Sequence, residues 1–294
     1  MNREEQIARV TLQGSIVNLL LVCIKAAAGF AANSAAMISD AVHSLSDFIT
    51  DIVVIVFVRV SARPQDQDHD YGHGKYETIA TLFIGLALAA AAIGIVVSGA
   101  TKLAAWLQGE SLQAPGKLAL WAAIISIVVK EALYQYTKYK GKNLQSSALE
   151  ANAWHHRSDA LSSIGAAVGI GGAILLGDRW TVLDPLASII IGAMLVKVAW
   201  DLLGPSFEEL TDSSLPEETE KEMLEIIHSV EGISDPHNLR TRRIGNRIAA
   251  EVHIRMDGNK TLKQAHDKAT EVEKLFKAKF GQQSHIIIHM EPEK

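Results

Sequence analysis

The chain has 294 residues, 48% of them hydrophobic, and a mean hydropathy of +0.15, which is too apolar for an ordinary soluble protein and long enough for about two domains. A formal net charge of -5, with no basic patch interleaved with aromatics, excludes nucleic acid as a partner. Cys23 is the only cysteine, so a single chain can form neither a disulfide nor a thiolate metal cluster, and the residue reads as a small apolar core side chain.

The N-terminus, MNREEQIARV, carries two acids and no compact apolar run ending at a cleavage site, which argues against a removable signal peptide. Apolar stretches follow near 10–31, 35–60, 78–107, 117–137, 149–176 and 182–203. Each reaches the roughly 20 residues needed to cross a bilayer, so a membrane bundle of six helices is expected. Arg3, Arg9, Arg59, Arg63, Lys75, Lys138, Lys140 and Lys142 fall on the side of the termini, against Lys102, Lys117 and Arg179 on the other. Positive charge is retained inside, which places both termini in the cytoplasm.

The second stretch holds Asp40, His43, Asp47 and Asp51 at spacings of three, four and four. On a helix they stay within an arc of roughly 80°, and ionisable groups at membrane depth are costly enough to mark an ion path or proton relay. Asp40 and Asp51 extend the stripe by a turn each way, either as staging carboxylates or as hydrogen-bonding groups for nearby Ser and Thr. The following loop, PQDQDHDYGHGKYE, offers Asp66, His69 and His73 to one cation, with Gly72 and Gly74 permitting a tight backbone; a solvated acidic loop is the alternative.

The fifth stretch contains ANAWHHRSD. His155 and Asp159 are four apart, hence about 40° around the axis and one turn along it, while His156 points about 100° away and reads as a supporting or packing residue. Asn152 and Ser162 share the face of His155. One such pair alone fits a packing salt bridge. Two pairs on two spans, His43–Asp47 and His155–Asp159, give two imidazoles and two carboxylates, a donor set suited to a tetrahedral Zn²⁺-like ion.

From about Glu208 the composition turns polar, marking a boundary between residues 1–207 and 208–294. The tail reads helix, strand, strand, helix, strand. Pro216 opens a helix through Val230, 248–256 alternates, Thr261–Phe280 is amphipathic, and Ile286–Met290 is a last strand. An α+β sandwich follows. His253 lies on the polar face of its strand, and His285, His289 and Glu291 share a face by period-two spacing, either a metal-bridging surface or histidines scattered by chance.

These residues resemble the cation diffusion facilitators, proton-coupled exporters of divalent metals, over nearly the whole chain. The carrying motifs are SDAVHSLSD, YGHGKYE, AWHHRSDALSS, HNLRTR, EVHIRM, QAHDKA and IIIHMEP. The resemblance implies a homodimer of six-helix protomers in the lipid bilayer, each with a cytoplasmic metallochaperone-like αββαβ domain. It casts His43, Asp47, His155 and Asp159 as the transport site, and Asp66, His69 and His73 as a loop site. His237, His253, His266 and His289 become a cytoplasmic cluster, with Glu291 where the family often has Asp. Lys75 and Asp212 take the place of the family's charge interlock, and His285 and His228 match no family ligand.

The expected function is export of Zn²⁺, with Mn²⁺, Fe²⁺ or Cd²⁺ as other cargo, from the cytoplasm across the plasma (inner) membrane in exchange for protons. Zn²⁺ is also expected to serve structurally in the cytoplasmic domain. No enzymatic activity is expected: an intramembrane metalloenzyme needs an open coordination position and a general base, and no HExxH is present. A membrane-anchored metal sensor is the third reading, and vectorial flux separates it from a transporter.

Overall fold

The computed structural model describes residues 3–31, 48, 51–109, 117–176, 180 and 182–293. Two compact units emerge, one made of residues 1–63 and 76–206, the other of 64–75 and 207–294. The loop at 64–75 therefore belongs to the same unit as the tail.

The first unit contains helices α1 (Arg3–Ala31), α2 (51–61), α3 (Lys75–Leu107, from Tyr76), α4 (Lys117–Asn143), α5 (Ser147–Leu176) and most of α6 (Leu183–Leu210). Among the described residues, three segments are long and apolar enough to cross a membrane: Arg3–Ile24, Lys75–Leu107 and Pro185–Leu210. Much of their outward surface is apolar, with Leu20, Ile24, Phe83, Ile93, Ile190 and Met194 all more than half exposed, and Gln13, Lys197 and Asp201 are exposed among them. The polar residues Thr11, Ser15, Asn18, Asp51, Lys130, Asn152, His155 and Ser158 lie inside. Small residues allow close helix approach, since a Cβ on Gly99 would meet the Pro185 carbonyl oxygen at 2.9 Å and one on Gly192 would meet Val96 Cγ2 at 2.6 Å.

This inside-out pattern corrects the expectation for Cys23, which is exposed on α1. Apolarity does not imply a core position where the surroundings are hydrocarbon. Helices α4 and α5 are joined by a short turn at Leu144, Gln145 and Ser146, with Gln145 in the left-handed region at φ 48°. A connection this short makes the two helices antiparallel neighbours. Arg3 closes that corner. Its Nε donates to Leu144 O at 2.7 Å and its Nη2 to Gln145 O at 2.8 Å, satisfying carbonyls that the end of α4 leaves open. Its guanidinium also forks onto Glu77 of α3 at 2.9 and 3.1 Å.

The division between units falls within α6, between Ser206 and Phe207. Pro205 stands one residue earlier and lacks the N–H that would complete the helical ladder.

In the second unit the tail forms α7 (Glu217–His228), β1 (Ser234–Ile244), β2 (Arg247–Met256), α8 (Leu262–Phe280) and β3 (His285–Pro292). The sheet order is β1-β2-β3, antiparallel between β1 and β2 and parallel between β2 and β3, with α8 as the crossover. Alternation in β2 sends Ile248, Ala250, Val252, Ile254 and Met256 to the buried face, where they pack with Met223 and Ile227 of α7 and Val272 and Phe276 of α8. Helix α8 starts at a capping box: Thr261 Oγ1 accepts from the Gln264 N–H at 3.3 Å, and Gln264 Oε1 from the Thr261 N–H at 2.9 Å.

Candidate metal sites

Within the first unit, α5 carries His155 and Asp159 one turn apart, His155 being 9% exposed and the Asp159 side chain 15%. Their partners by sequence, His43 and Asp47, lie outside the described residues, as does Asp40. His156 turns toward α1, where a Cβ on Gly14 would sit 3.6 Å from its Nε2. Sequence reading passed over Lys130 of α4, whose Nζ lies 2.9 Å from Asp159 Oδ2. The signal available was the short turn after α4, which places its second half against the first half of α5.

Asp51 is fully buried and accepts three side-chain hydrogen bonds, from Ser15 Oγ at 2.9 Å, Asn18 Nδ2 at 3.2 Å and Asn152 Nδ2 at 2.8 Å. The carboxylate joins α1, α2 and α5. Among the described residues its donors come from distant spans; Ser44, Ser46 and Thr50, the neighbours the sequence suggested, lie outside the described residues.

In the second unit, Asp66, His69 and His73 place ligand atoms within 4.8 Å of one another. Asp66 Oδ1 accepts from the backbone N–H groups of Asp68 at 3.1 Å and His69 at 2.9 Å, which folds the loop around the carboxylate. His73 is buried, with Nδ1 3.2 Å from the Pro64 carbonyl and Nε2 3.4 Å from Asp66 Oδ2. A carbonyl at Nδ1 fixes the tautomer that leaves Nε2 as a ligand. Partial desolvation pushes the Asp66 carboxyl up, but the N–H groups of Asp68 and His69, the His69 ring and His73 outweigh it and hold the carboxyl below its ordinary range. Lys75 donates to Asp212 Oδ1 at 2.7 Å, and Arg242 sits 3.5 Å from Oδ2. The Lys75 hydrogen bond holds the Asp212 carboxyl below its usual value.

The sheet builds the other cluster. Residues 237, 253 and 289 face each other in register across β1, β2 and β3. Two register shifts flank His237, and Asp235 and Asn238 adopt φ of 43° and 51°. Such bulges re-aim a side chain beside a site, and they hide the period-two signal from sequence reading. His237 Nδ1 lies 2.8 Å from the Asp235 carbonyl, leaving Nε2 3.5 Å from Glu291 Oε2. His253 Nδ1 is 3.0 Å from Glu291 Oε1, and the His289 ring centre lies 4.6 Å from that of His253, the rings tilted by 50°. His237, His253 and Glu291 form a compact ligand set within 4.8 Å; His289 borders it, and His266 on α8 belongs to neither set. Arg255, also passed over, reaches Glu291 Oε2 at 3.4 Å and pairs with Asp235. The His253 hydrogen bond, with His237 and Arg255, keeps the Glu291 carboxyl below its ordinary range.

Residues 12–211 match the cation efflux transmembrane domain, and residues 215–293 match the cytoplasmic domain of cation efflux proteins. Metal tolerance protein C1 of Arabidopsis thaliana is 35% identical over 291 residues, covering 95% of this chain and 61% of that protein. Manganese efflux system protein MneP of Bacillus subtilis is 32% identical over 296 residues, 99% of this chain and 98% of that protein. Magnetosome protein MamM of Paramagnetospirillum magneticum is 30% identical over 260 residues, 86% of this chain and 78% of that protein. The chain thus spans less than two thirds of the plant protein and nearly all of the Bacillus one. With both domain models matched across almost its whole length, this integral membrane protein belongs to the cation diffusion facilitators, a family of cation efflux transporters.

Proposed function

We propose that this protein exports Zn²⁺ from the cytoplasm in exchange for protons, as a homodimer in the plasma membrane with both termini cytoplasmic. The observation that carries the reading is the placement of His155 and Asp159 one turn apart on α5, on the inside of a bundle that exposes many large apolar side chains. His43 and Asp47 complete a two-nitrogen, two-oxygen site by sequence. Imidazole binds metal when neutral and carboxylate when ionised, so metal and protons exclude each other at these groups. A bundle that exposes the site alternately to each side then carries one or the other. Residues 208–294, with the loop site and the His237, His253 and Glu291 set, form the metal-responsive dimerisation domain, and Zn²⁺ bound there is structural.

Mn²⁺ is the second reading for the cargo, because the Bacillus relative is named for manganese efflux. Fe²⁺ and Cd²⁺ are further candidates by ligand chemistry. Proteoliposomes challenged with each metal under imposed pH gradients test both cargo and coupling. Zn²⁺ uptake should follow the proton gradient and vanish in Asp159→Asn. Uptake insensitive to pH, or an Asp159→Asn variant as fast as the parent, would count against the proposal.

A further inference from the structure

Lys130 is 1% exposed, deep in the first unit, and its ammonium lies 2.9 Å from Asp159 Oδ2. A buried ammonium needs partners, and one of them here is the carboxylate assigned to cargo. Among the described residues, two nearby cations have other partners. Arg157 of α5 approaches Glu131 at 3.8 Å and packs over the Tyr134 ring at 4.3 Å, while Lys138 donates to the Tyr134 hydroxyl. Lys130, by contrast, is a cation that reaches the Asp159 carboxylate.

An ammonium at hydrogen-bond distance and a divalent ion at bonding distance on one carboxylate would repel each other strongly in so dry a place. The lysine stem is flexible, four carbons long and ends in a compact charge, so it can withdraw without moving the helix. We propose that Lys130 is a tethered cation which holds the Asp159 carboxylate while the transport site lacks metal and is displaced by the incoming ion. This rests on the reading of Asp159 as a transport ligand. The ammonium keeps the metal-free site neutralised inside the membrane, and competition with it sets the apparent affinity for cargo. A lysine with a packing role alone would give the opposite mutational result, since its loss would loosen the site.

The test measures Zn²⁺ binding to the purified full chain carrying Asp66→Ala, His73→Ala, His253→Ala and Glu291→Ala, so that the membrane site dominates the titration. Lys130→Gln, neutral and of similar length, should bind Zn²⁺ about tenfold more tightly, the scale of one charge-assisted hydrogen bond. Lys130→Arg, which forks onto carboxylates more firmly, should bind Zn²⁺ more weakly than the parent. Adding Asp159→Asn identifies which idea fails. If Asp159→Asn leaves binding intact, the ligand assignment is wrong and the tethered cation falls with it. Should Asp159→Asn abolish binding while Lys130→Gln binds no more tightly than the parent, the ligand assignment stands and the tethered cation is refuted. Should Lys130→Gln fail to fold, Lys130→Arg decides alone: weaker binding supports displacement, and equal or tighter binding overturns it.

Discussion

Gly74 and Gly245 meet backbone to backbone: a Cβ on Gly74 would lie 2.7 Å from the Ile244 carbonyl oxygen, and one on Gly245 would lie 2.6 Å from the Gly74 carbonyl oxygen. Gly245 also turns the β1–β2 hairpin at φ 62°, where a side chain is strained. The hairpin thereby grips the loop that presents Asp66, His69 and His73. Tyr71 adds to the grip, its ring lying 4.6 Å from the Arg242 guanidinium and 5.1 Å from the His285 ring. Gly74→Ala should cost about 1–3 kcal/mol of stability through forced backbone movement. Zn²⁺ affinity at the loop site should fall with it. Gly258→Ala is the control, because its Cβ would meet only Pro292 Cβ at 3.4 Å. Thermal unfolding and Zn²⁺ titration check both effects, and an unperturbed Gly74→Ala would remove the gripping role.

Arg3 ties the start of α1 to α3 and to the turn after α4 through four hydrogen bonds, two of them to Glu77, whose side chain is 4% exposed. Replacing Arg3 with Met leaves a buried carboxylate without its cation, a loss of roughly 3 kcal/mol for pairs of this kind. Arg3→Lys restores charge but not the fork, so it should recover only part. Removing both partners, as Arg3→Met with Glu77→Leu, should be milder than Arg3→Met alone. Thermal unfolding in one detergent at fixed pH orders the variants. Arg3→Met as stable as the parent would mean the fork contributes nothing.

What could be read from the sequence depended on whether the signal was local. The buried face of β2 was legible because Ile248, Ala250, Val252, Ile254 and Met256 alternate, and the start of α8 because Thr261 and Gln264 stand three apart. His155 and Asp159 were legible as a pair because helical spacing alone puts them on one face. Other features rest on contacts between distant residues. The donors to Asp51 arrive from α1 and α5, and the grip on residues 64–75 from the hairpin at Gly245, so no window of sequence displays either. Cys23 shows the remaining difficulty, since apolar patterning cannot say whether a residue faces protein or lipid.

Glu291 gives a prediction with a defined pH window. The hydrogen bond from His253, aided by His237 and Arg255, lowers its carboxyl in the folded protein. A carboxyl lowered on folding stabilises fully above its ordinary value of about 4.3, and that contribution disappears as pH falls through the lowered folded value. Glu291→Gln cannot ionise and lacks the contribution at every pH. The parent should therefore unfold at a higher temperature than Glu291→Gln at neutral pH without metal, and the gap should close on acidification below pH about 4. A gap that persists undiminished well below pH about 4 would refute the assignment of these contacts.

His155 should govern the choice of ion. Its imidazole is a borderline nitrogen donor one turn from the Asp159 carboxylate, and it lies almost wholly out of solvent. Nitrogen donors favour Zn²⁺, whereas Mn²⁺ accepts carboxylate and water oxygens more readily. His155→Asp exchanges a neutral nitrogen for an anionic oxygen at the same place on α5. The added charge strengthens attraction for every divalent ion, so absolute rates are uninformative. The ratio of Zn²⁺ to Mn²⁺ transport within each variant isolates donor chemistry from charge, and it should fall in His155→Asp. His228→Asp makes a comparable exchange on α7, outside both compact ligand sets, and should leave the ratio unchanged. Proteoliposomes loaded in parallel with the two metals give both ratios under one proton gradient. If His155→Asp keeps the parent ratio, the ion is chosen elsewhere, and His43 becomes the position to exchange next.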